Sequence, residues 1–139
     1  MKEFFEGFYL TDDKNEILQR LDDVEKLLKQ TYWAQNRKRE LIQRSIQNSA
    51  CYGIVDVNKG ILAAFARVIT DNATLYCLED VIVDGQYRGR GLGKKLIAYI
   101  TECEEKLKGQ FGVALTRDAQ GLYAKYGFKE YYDTCMYRL

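Results

Sequence analysis

The chain has 139 residues, 47% of them apolar and 13% aromatic, which suits one packed domain spanning residues 1–139 and is too short for two. A formal charge of +1 leaves no whole-protein basic field for nucleic acid, and the absence of histidine removes imidazole triads, histidine metal ligands and imidazole proton relays. No run of about 18 apolar residues occurs, so no membrane-spanning helix is expected.

In chain order, Phe4 to Leu10 reads as a first strand. The opening MKEFFEGFYL carries acidic residues inside its apolar stretch and no small-residue cleavage site, which argues against a secretory signal. Thr11 or Asp12 is placed to cap a helix from about Asn15 to Lys29, with Ile17, Leu21, Val24 and Leu28 as its apolar stripe. Thr31-Tyr32-Trp33-Ala34 interrupts that pattern, and a second helix follows from about Arg37 to Asn48, using Leu41, Ile42, Ser45 and Ile46. Three strands come next: Cys51–Val57, Ile61–Ile69 and Thr74–Val83. Asn58-Lys59-Gly60 and Thr70 to Ala73 are the turns between them, so an antiparallel meander is expected.

The third meander strand runs into VIVDGQYRGRGLGKK, residues 81–95, with glycines at 89, 91 and 93. A helix should follow to about Leu107, with Leu92, Leu96, Ile100, Cys103 and Leu107 near one face. Strand, glycine turn and helix together make an anion site. Glycines let the backbone approach a phosphate, and the first free N–H groups of the helix point at it. Arg88, Arg90, Lys94 and Lys95 add positive charge around the same turn. Taken alone, the same residues also describe a solvated βα connection with charged flanks.

A P-loop is excluded, because Arg88 stands at the first glycine position and Lys95 where a hydroxyl is needed. The dinucleotide fingerprint is excluded by the spacing of the third glycine. Beyond the turn, Gly112 to Leu115 reads as a short buried strand and Asp118 or Ala119 to Tyr126 as a short helix closed by Gly127. Phe128 to Tyr132 and Thr134 to Leu139 then read as final strands. The expected fold is α/β: a twisted mixed sheet flanked by helices, with a crevice where the strand before the glycine turn and the strand near Phe111 part.

Arg88-x-x-Gly91-x-Gly93, preceded by Val81-x-Val83, resembles the acetyl-coenzyme A pyrophosphate motif of the GCN5-related N-acetyltransferase (GNAT) superfamily. The later stretch Asp118 to Phe128, with Tyr123-x-Lys125-x-Gly127-Phe128, resembles a second hallmark of that family, and the element order matches its fold over essentially the whole chain. The resemblance implies an N-acetyltransferase that moves an acetyl group from acetyl-CoA directly to a primary amine of a small molecule or peptide. The alternative is an acyl-CoA-binding module on the same fold without turnover.

It also implies roles. Val81 and Val83 would pair with the pantetheine arm, and Arg88, Gly89, Arg90, Gly91, Leu92, Gly93 and Lys94 would hold the pyrophosphate. Tyr123 would protonate the departing thiolate. Asp118 stands where the family has asparagine, which removes two donors, so it can instead cap the short helix. Glu79 shares strand parity with Val81 and Val83, whereas Asp80 shares it with Leu78 and Ile82. Glu79 is therefore the candidate base, against an ordinary strand-end carboxylate or water; Cys77 as an acyl-carrying nucleophile is the outside reading.

Acceptor recognition in this family comes largely from the first helices and their loop, which here hold Tyr32, Trp33, Arg37, Lys38 and Arg39, with Arg67 available if it faces the cleft. Such a lid would favour an aromatic or carboxylate-bearing acceptor; the plainer reading is that Trp33 anchors the loop and the basic run is solvated. The cysteines at 51, 77, 103 and 135 form no CxxC pair, so buried free thiols, no metal and a cytoplasmic setting are expected. Strand ends can pair across a homodimer, and the sequence leaves that open.

Overall fold

The computed structural model describes residues 2–131 and 134–139. Phe4 to Leu10 is not one strand. The chain folds back at Glu6-Gly7 into β1 (Lys2–Phe5) and β2 (Phe8–Thr11), with Phe5 opposite Phe8. Both turn residues have positive φ, 44° and 87°, as a two-residue type I′ hairpin turn requires. Glutamate is an unusual choice at such a position, so the hairpin carries no sequence signal.

The single helix expected over Asn15–Lys29 is two, α1 (Lys14–Gln19) and α2 (Leu21–Leu28), broken at Arg20. The Arg20 guanidinium donates to the Gly60 carbonyl at 2.6 Å and to the Tyr9 hydroxyl at 3.2 Å. The cap is Asp13 rather than Thr11 or Asp12, accepting from the Asn15 and Glu16 amides at 2.9 and 3.4 Å. The apolar stripe holds: Ile17, Leu21, Val24 and Leu28 are all buried. In α3 (Arg39–Gln47) Ile42 and Ile46 face the core, but Leu41 is exposed.

The sheet continues through β3 (Ala50–Asp56), β4 (Ile61–Thr70), β5 (Leu75–Val83) and β6 (Phe111–Ala114). Its six strands lie in sequence order, antiparallel except that β6 runs parallel to β5. Both faces are covered. One core joins Tyr52, Ile54, Ala66, Leu78 and the helix α4 (Leu92–Ala98); the other joins Val55, Phe65 and Ile82 to α1, α2 and α3. Each fully buried Leu or Ile in these layers contributes about 1.5–3 kcal/mol.

One irregularity in β5 matters for everything that follows. Glu79 lies opposite Arg67 and Ile82 opposite Phe65, so Ala66 alone faces two residues, Asp80 and Val81. This is a β-bulge, with Asp80 at φ 51°. Alternation therefore reverses across it: Leu78 packs on the α4 side and Ile82 on the other. The parity argument fails for this reason on both counts: Leu78 and Ile82 lie on opposite faces, and Glu79, opposite Arg67, lies on the other face from Val83, opposite Ala64.

The helix after the glycine turn does not run to Leu107. It is α4, prolonged by one π turn over Tyr99–Cys103, and it stops at Glu104, whose buried carboxylate accepts from the Tyr52 hydroxyl at 3.0 Å. A short α5 (Gln120–Ala124) follows β6 and is closed at Gly127, where φ is 87°. The two terminal strands expected from Phe128 onward are not formed among the described residues, and Tyr132 lies outside them. Met136 is 97% exposed and Tyr137 86%, so almost no apolar burial offsets the entropy of ordering that stretch. The thiols are free, but only Cys51 is fully buried; Cys77 is half-buried, while Cys103 and Cys135 are exposed.

Candidate active site

The glycine turn is built as an uncapped helix start. Gly89 and Gly91 have φ 81° and 77°, and Gly91 is the N-cap of α4 with no side chain closing the amides that follow. A side chain at either position would be strained by the backbone while meeting no neighbour within 4 Å, so the space over the turn is open. Gly93 has another use: a Cβ there would touch Val83 Cγ2 at 3.5 Å, which fits close packing of α4 on β5.

The charges around the turn divide. Arg88 is exposed and lines a cleft of about 570 Å³ beside it. The Lys94 side chain is exposed, and its carbonyl accepts from the Tyr126 hydroxyl at 3.3 Å. Arg90 instead lies over the rings of Phe8 and Tyr87, at 4.9 and 5.5 Å from their centroids. Lys95 is ion-paired to Glu3 and sits over Phe5. Leu92 is core, so only its backbone is offered to a ligand.

The cleft itself opens where β5 and β6 part. Their pairing ends at Leu78 and Ala114, while β5 runs on to Val83 with no strand on that side among the described residues. Of the residues expected in the site, the cleft wall includes Glu79, Val81, Arg88, Tyr123, Tyr32 and Trp33. Val83 and residues 89–94 are not part of that wall. Asp118 is also in the wall but caps nothing; Thr116 Oγ1 accepts from the amides of Asp118 and Ala119 at 3.3 and 2.9 Å.

Tyr123 is 8% exposed, stacked at a tilt on Phe128 with ring centroids 5.6 Å apart. Its hydroxyl makes no hydrogen bond to a described residue. Burial, followed by the nearby Asp118, Glu79 and Cys77, pushes its pKa up to about 12, so the phenol is a protonated donor at neutral pH. Cys77 donates to Glu79 Oε1 at 3.5 Å, and burial reinforced by Glu79 pushes the thiol up to about 11. A thiol held protonated in this way makes a poor nucleophile.

Sequence reasoning missed Asp80. It is 4% exposed, accepts from the Trp33 indole at 3.0 Å on one oxygen, and from Arg37 at 2.6 Å and Arg67 at 2.9 Å on the other. Burial alone would raise its pKa, but the Arg37 hydrogen bond and the Arg67 charge outweigh that and hold it below the ordinary carboxylate range. Arg37 and Arg67 are thus engaged by Asp80 and neither lines the cleft, while Arg39 pairs with Asp22 and Glu25. The basic acceptor lid expected from residues 37–39 and 67 does not form. A polar residue next to a candidate base was the available signal, and the bulge hid its direction.

A second hollow of about 670 Å³, lined by Asp12, Lys14, Tyr52 and Glu104 among others, touches none of these groups. Among the described residues no group of three acidic or cysteine side chains is placed to hold a metal ion. No helix there is long and apolar enough to cross a membrane.

Comparison with known proteins bears on the family and the fold. The sequence profile described as an acetyltransferase (GNAT) domain matches residues 47–130. A crystal structure assigned to the GNAT family from Xanthomonas campestris is 35% identical with a TM-score of 0.85, covering 98% of this chain and 95% of its own. This chain belongs to the GNAT family. A Staphylococcus aureus protein of unknown function, described as a probable acetyltransferase (20% identical, TM-score 0.77, covering 95% of this chain and 97% of its own), shares the fold. So does a Trypanosoma brucei acetyltransferase (20%, 0.71, covering 95% and 99%). No curated protein matches the chain. The GNAT mixed sheet and its covering helices are as expected from the sequence, and family membership supports an acetyltransferase-type activity.

Proposed function

We propose that this GNAT domain transfers the acetyl group of acetyl-CoA to a primary amine of a small molecule or peptide. The observation that carries the reading is Tyr123: an almost buried phenol whose hydroxyl has no hydrogen-bond partner among the described residues, in the wall of the cleft shared by Glu79, Val81 and Arg88. Buried hydroxyls in a core normally find an acceptor, and one held open toward a cleft suits a proton donor for a leaving group.

The residues present fit acetyl-CoA. When bound, it supplies the activated acetyl thioester. The open turn over Gly89 and Gly91, the uncapped amides at the start of α4 and the exposed Arg88 and Lys94 suit a pyrophosphate. The unpaired edge of β5 at Val81 and Val83 suits an extended amide-bearing arm, bonded as an added strand. Arg90, stacked on Phe8 and Tyr87, shapes the turn from behind rather than neutralising the ligand directly.

Glu79 is the candidate acceptor for the amine proton, since it lines the cleft and, among the described residues, only the Cys77 thiol is bonded to its carboxylate. Tyr32 and Trp33 form the aromatic side of the acceptor space. Isothermal titration with acetyl-CoA, then thiol release across a panel of amines, tests the reading. Uptake at micromolar concentrations and amine-dependent thiol release are expected. No uptake at millimolar acetyl-CoA refutes it; binding without release on any amine leaves a non-catalytic acyl-CoA module instead.

A further inference from the structure

We propose that Asp80 is a positioning residue: by holding Trp33 and Arg37 it fixes the aromatic wall at the acceptor end of the cleft, and it takes no proton itself. The proposal rests on the acetyltransferase reading for what the wall contacts, though not for the existence of the latch.

Both carboxylate oxygens of Asp80 are occupied. Oδ1 accepts from the Trp33 indole and Oδ2 from both arginines, and the residue is shut away from solvent. Three of its roughly four acceptor sites are therefore taken, and two of the three donors are cationic, which disfavours taking up a proton from an amine. One arginine ties the carboxylate to the sheet: Arg67 comes from β4, and its other end donates to Ser49 Oγ at 3.0 Å. The other two partners come from the loop between α2 and α3, which carries the aromatic wall. Asp80 is the point where that loop is bolted to the sheet.

What the bolt positions is exposed to the cleft. Trp33 is 44% exposed and meets Tyr32 edge-on, ring centroids 4.9 Å apart. Tyr32 in turn lies under the Arg117 guanidinium at 4.6 Å, and Arg117 belongs to the opposite lip, after β6. A continuous run of contacts thus crosses the mouth from Asp80 through Trp33 and Tyr32 to Arg117. Releasing its inner end frees the indole and loosens the whole span.

The bulge explains why an aspartate stands here. One extra residue in β5 turns Asp80 onto the face where Arg67 lies, at a positive φ that costs most residues energy. Asparagine tolerates that backbone as well as aspartate does, so Asp80→Asn removes the charge and keeps the conformation. Alanine would mix the two effects.

Trp33 is the chain's one tryptophan, so intrinsic fluorescence reads the latch directly. Asp80→Asn should raise the acrylamide quenching constant of Trp33 about twofold or more, as the indole leaves its acceptor. With n-butylamine and benzylamine as probe acceptors, Asp80→Asn and Trp33→Phe should each raise acceptor KM about 5- to 30-fold. The acetyl-CoA Kd should stay within about twofold and the pH profile of kcat should keep its shape. Because both act through one contact, the double variant should be little worse than the stronger single one.

Unchanged quenching in Asp80→Asn overturns the proposal, as does unchanged acceptor KM in both variants of an active enzyme. A kcat collapse in Asp80→Asn with loss of the acid limb would make Asp80 the proton acceptor, and also overturns it. If Asp80→Asn does not fold, Arg37→Met cuts the same tether from its solvent side and gives the same readings. Wild-type protein that neither binds acetyl-CoA nor acetylates an amine would refute the acetyltransferase reading. The quenching measurement needs neither compound and still decides the latch.

Discussion

Tyr123→Phe separates a packing role from a chemical one, because the structure assigns them very different sizes. The substitution keeps the ring that stacks on Phe128 and removes only a hydroxyl bonded to no described residue. No intramolecular hydrogen bond is lost and no acceptor is orphaned, so the stability cost should be about 0.5 kcal/mol or less. A general acid, by contrast, contributes about 10²- to 10⁴-fold, which is about 2.7–5.4 kcal/mol of barrier. The assay pairs a urea melt followed by far-UV circular dichroism with steady-state thiol release and an acetyl-CoA titration. We expect an unmoved melt, unmoved Kd and kcat lower by at least about 100-fold. An equal kcat with a weakened fold would show that the phenol is core and would refute the reasoning.

The pH dependence follows from the same phenol. Pushed up to about 12, chiefly by burial, Tyr123 remains a competent acid through the neutral range. No alkaline loss of kcat with a midpoint near 10 should therefore appear, and one would show that the group titrates as a free phenol. Since the shift favours the protonated form in the folded state, its contribution to stability is complete below about pH 10 and is lost as pH rises toward 12. Arg88→Ala should weaken acetyl-CoA binding about 10-fold by calorimetry, the lower end for a charge-assisted bond at an exposed site; an unchanged Kd would leave the backbone amides and Lys94 as the phosphate ligands. In Gly112→Ala a new Cβ would stand 2.5 Å from Tyr76 Cζ and Oη, on the strand pair that begins the cleft. A loss of about 1–3 kcal/mol in a urea melt is expected, and an unmoved midpoint would mean Tyr76 yields freely.

What could be read from the sequence was what is encoded locally. The stripe on α1 and α2, the glycine turn and the start of α4 each depend on residues a few positions apart, and their outlines held. The misreadings have partners far along the chain. The break at Arg20 answers to Gly60 and Tyr9, and the removal of Lys95 from the phosphate turn answers to Glu3, 92 positions away. The hairpin at Glu6-Gly7 went unseen because glutamate seldom occupies a positive-φ turn position, so the apolar residues on either side read as one strand. The bulge at Asp80 was invisible for a deeper reason: strict alternation assumes a regular strand, and nothing in LEDVIV announces an extra residue. One unseen bulge left Glu79 in the cleft yet concealed that its neighbour governs the loop opposite.

The bulge also constrains how this enzyme can be altered. Removing a single residue at position 80 would let β5 pair evenly with β4, by ordinary criteria a better strand. The pairs on either side of the cut, Glu79 with Arg67 and Ile82 with Phe65, would keep their register, and Ile82 and Val83 would stay in their own cores. The aromatic loop, however, would lose its fastening, because Trp33 and Arg37 would have no carboxylate to hold. Shortening here would therefore tidy the sheet and leave both cores intact while unfastening the wall of the pocket, so the irregularity serves the loop and not the strand.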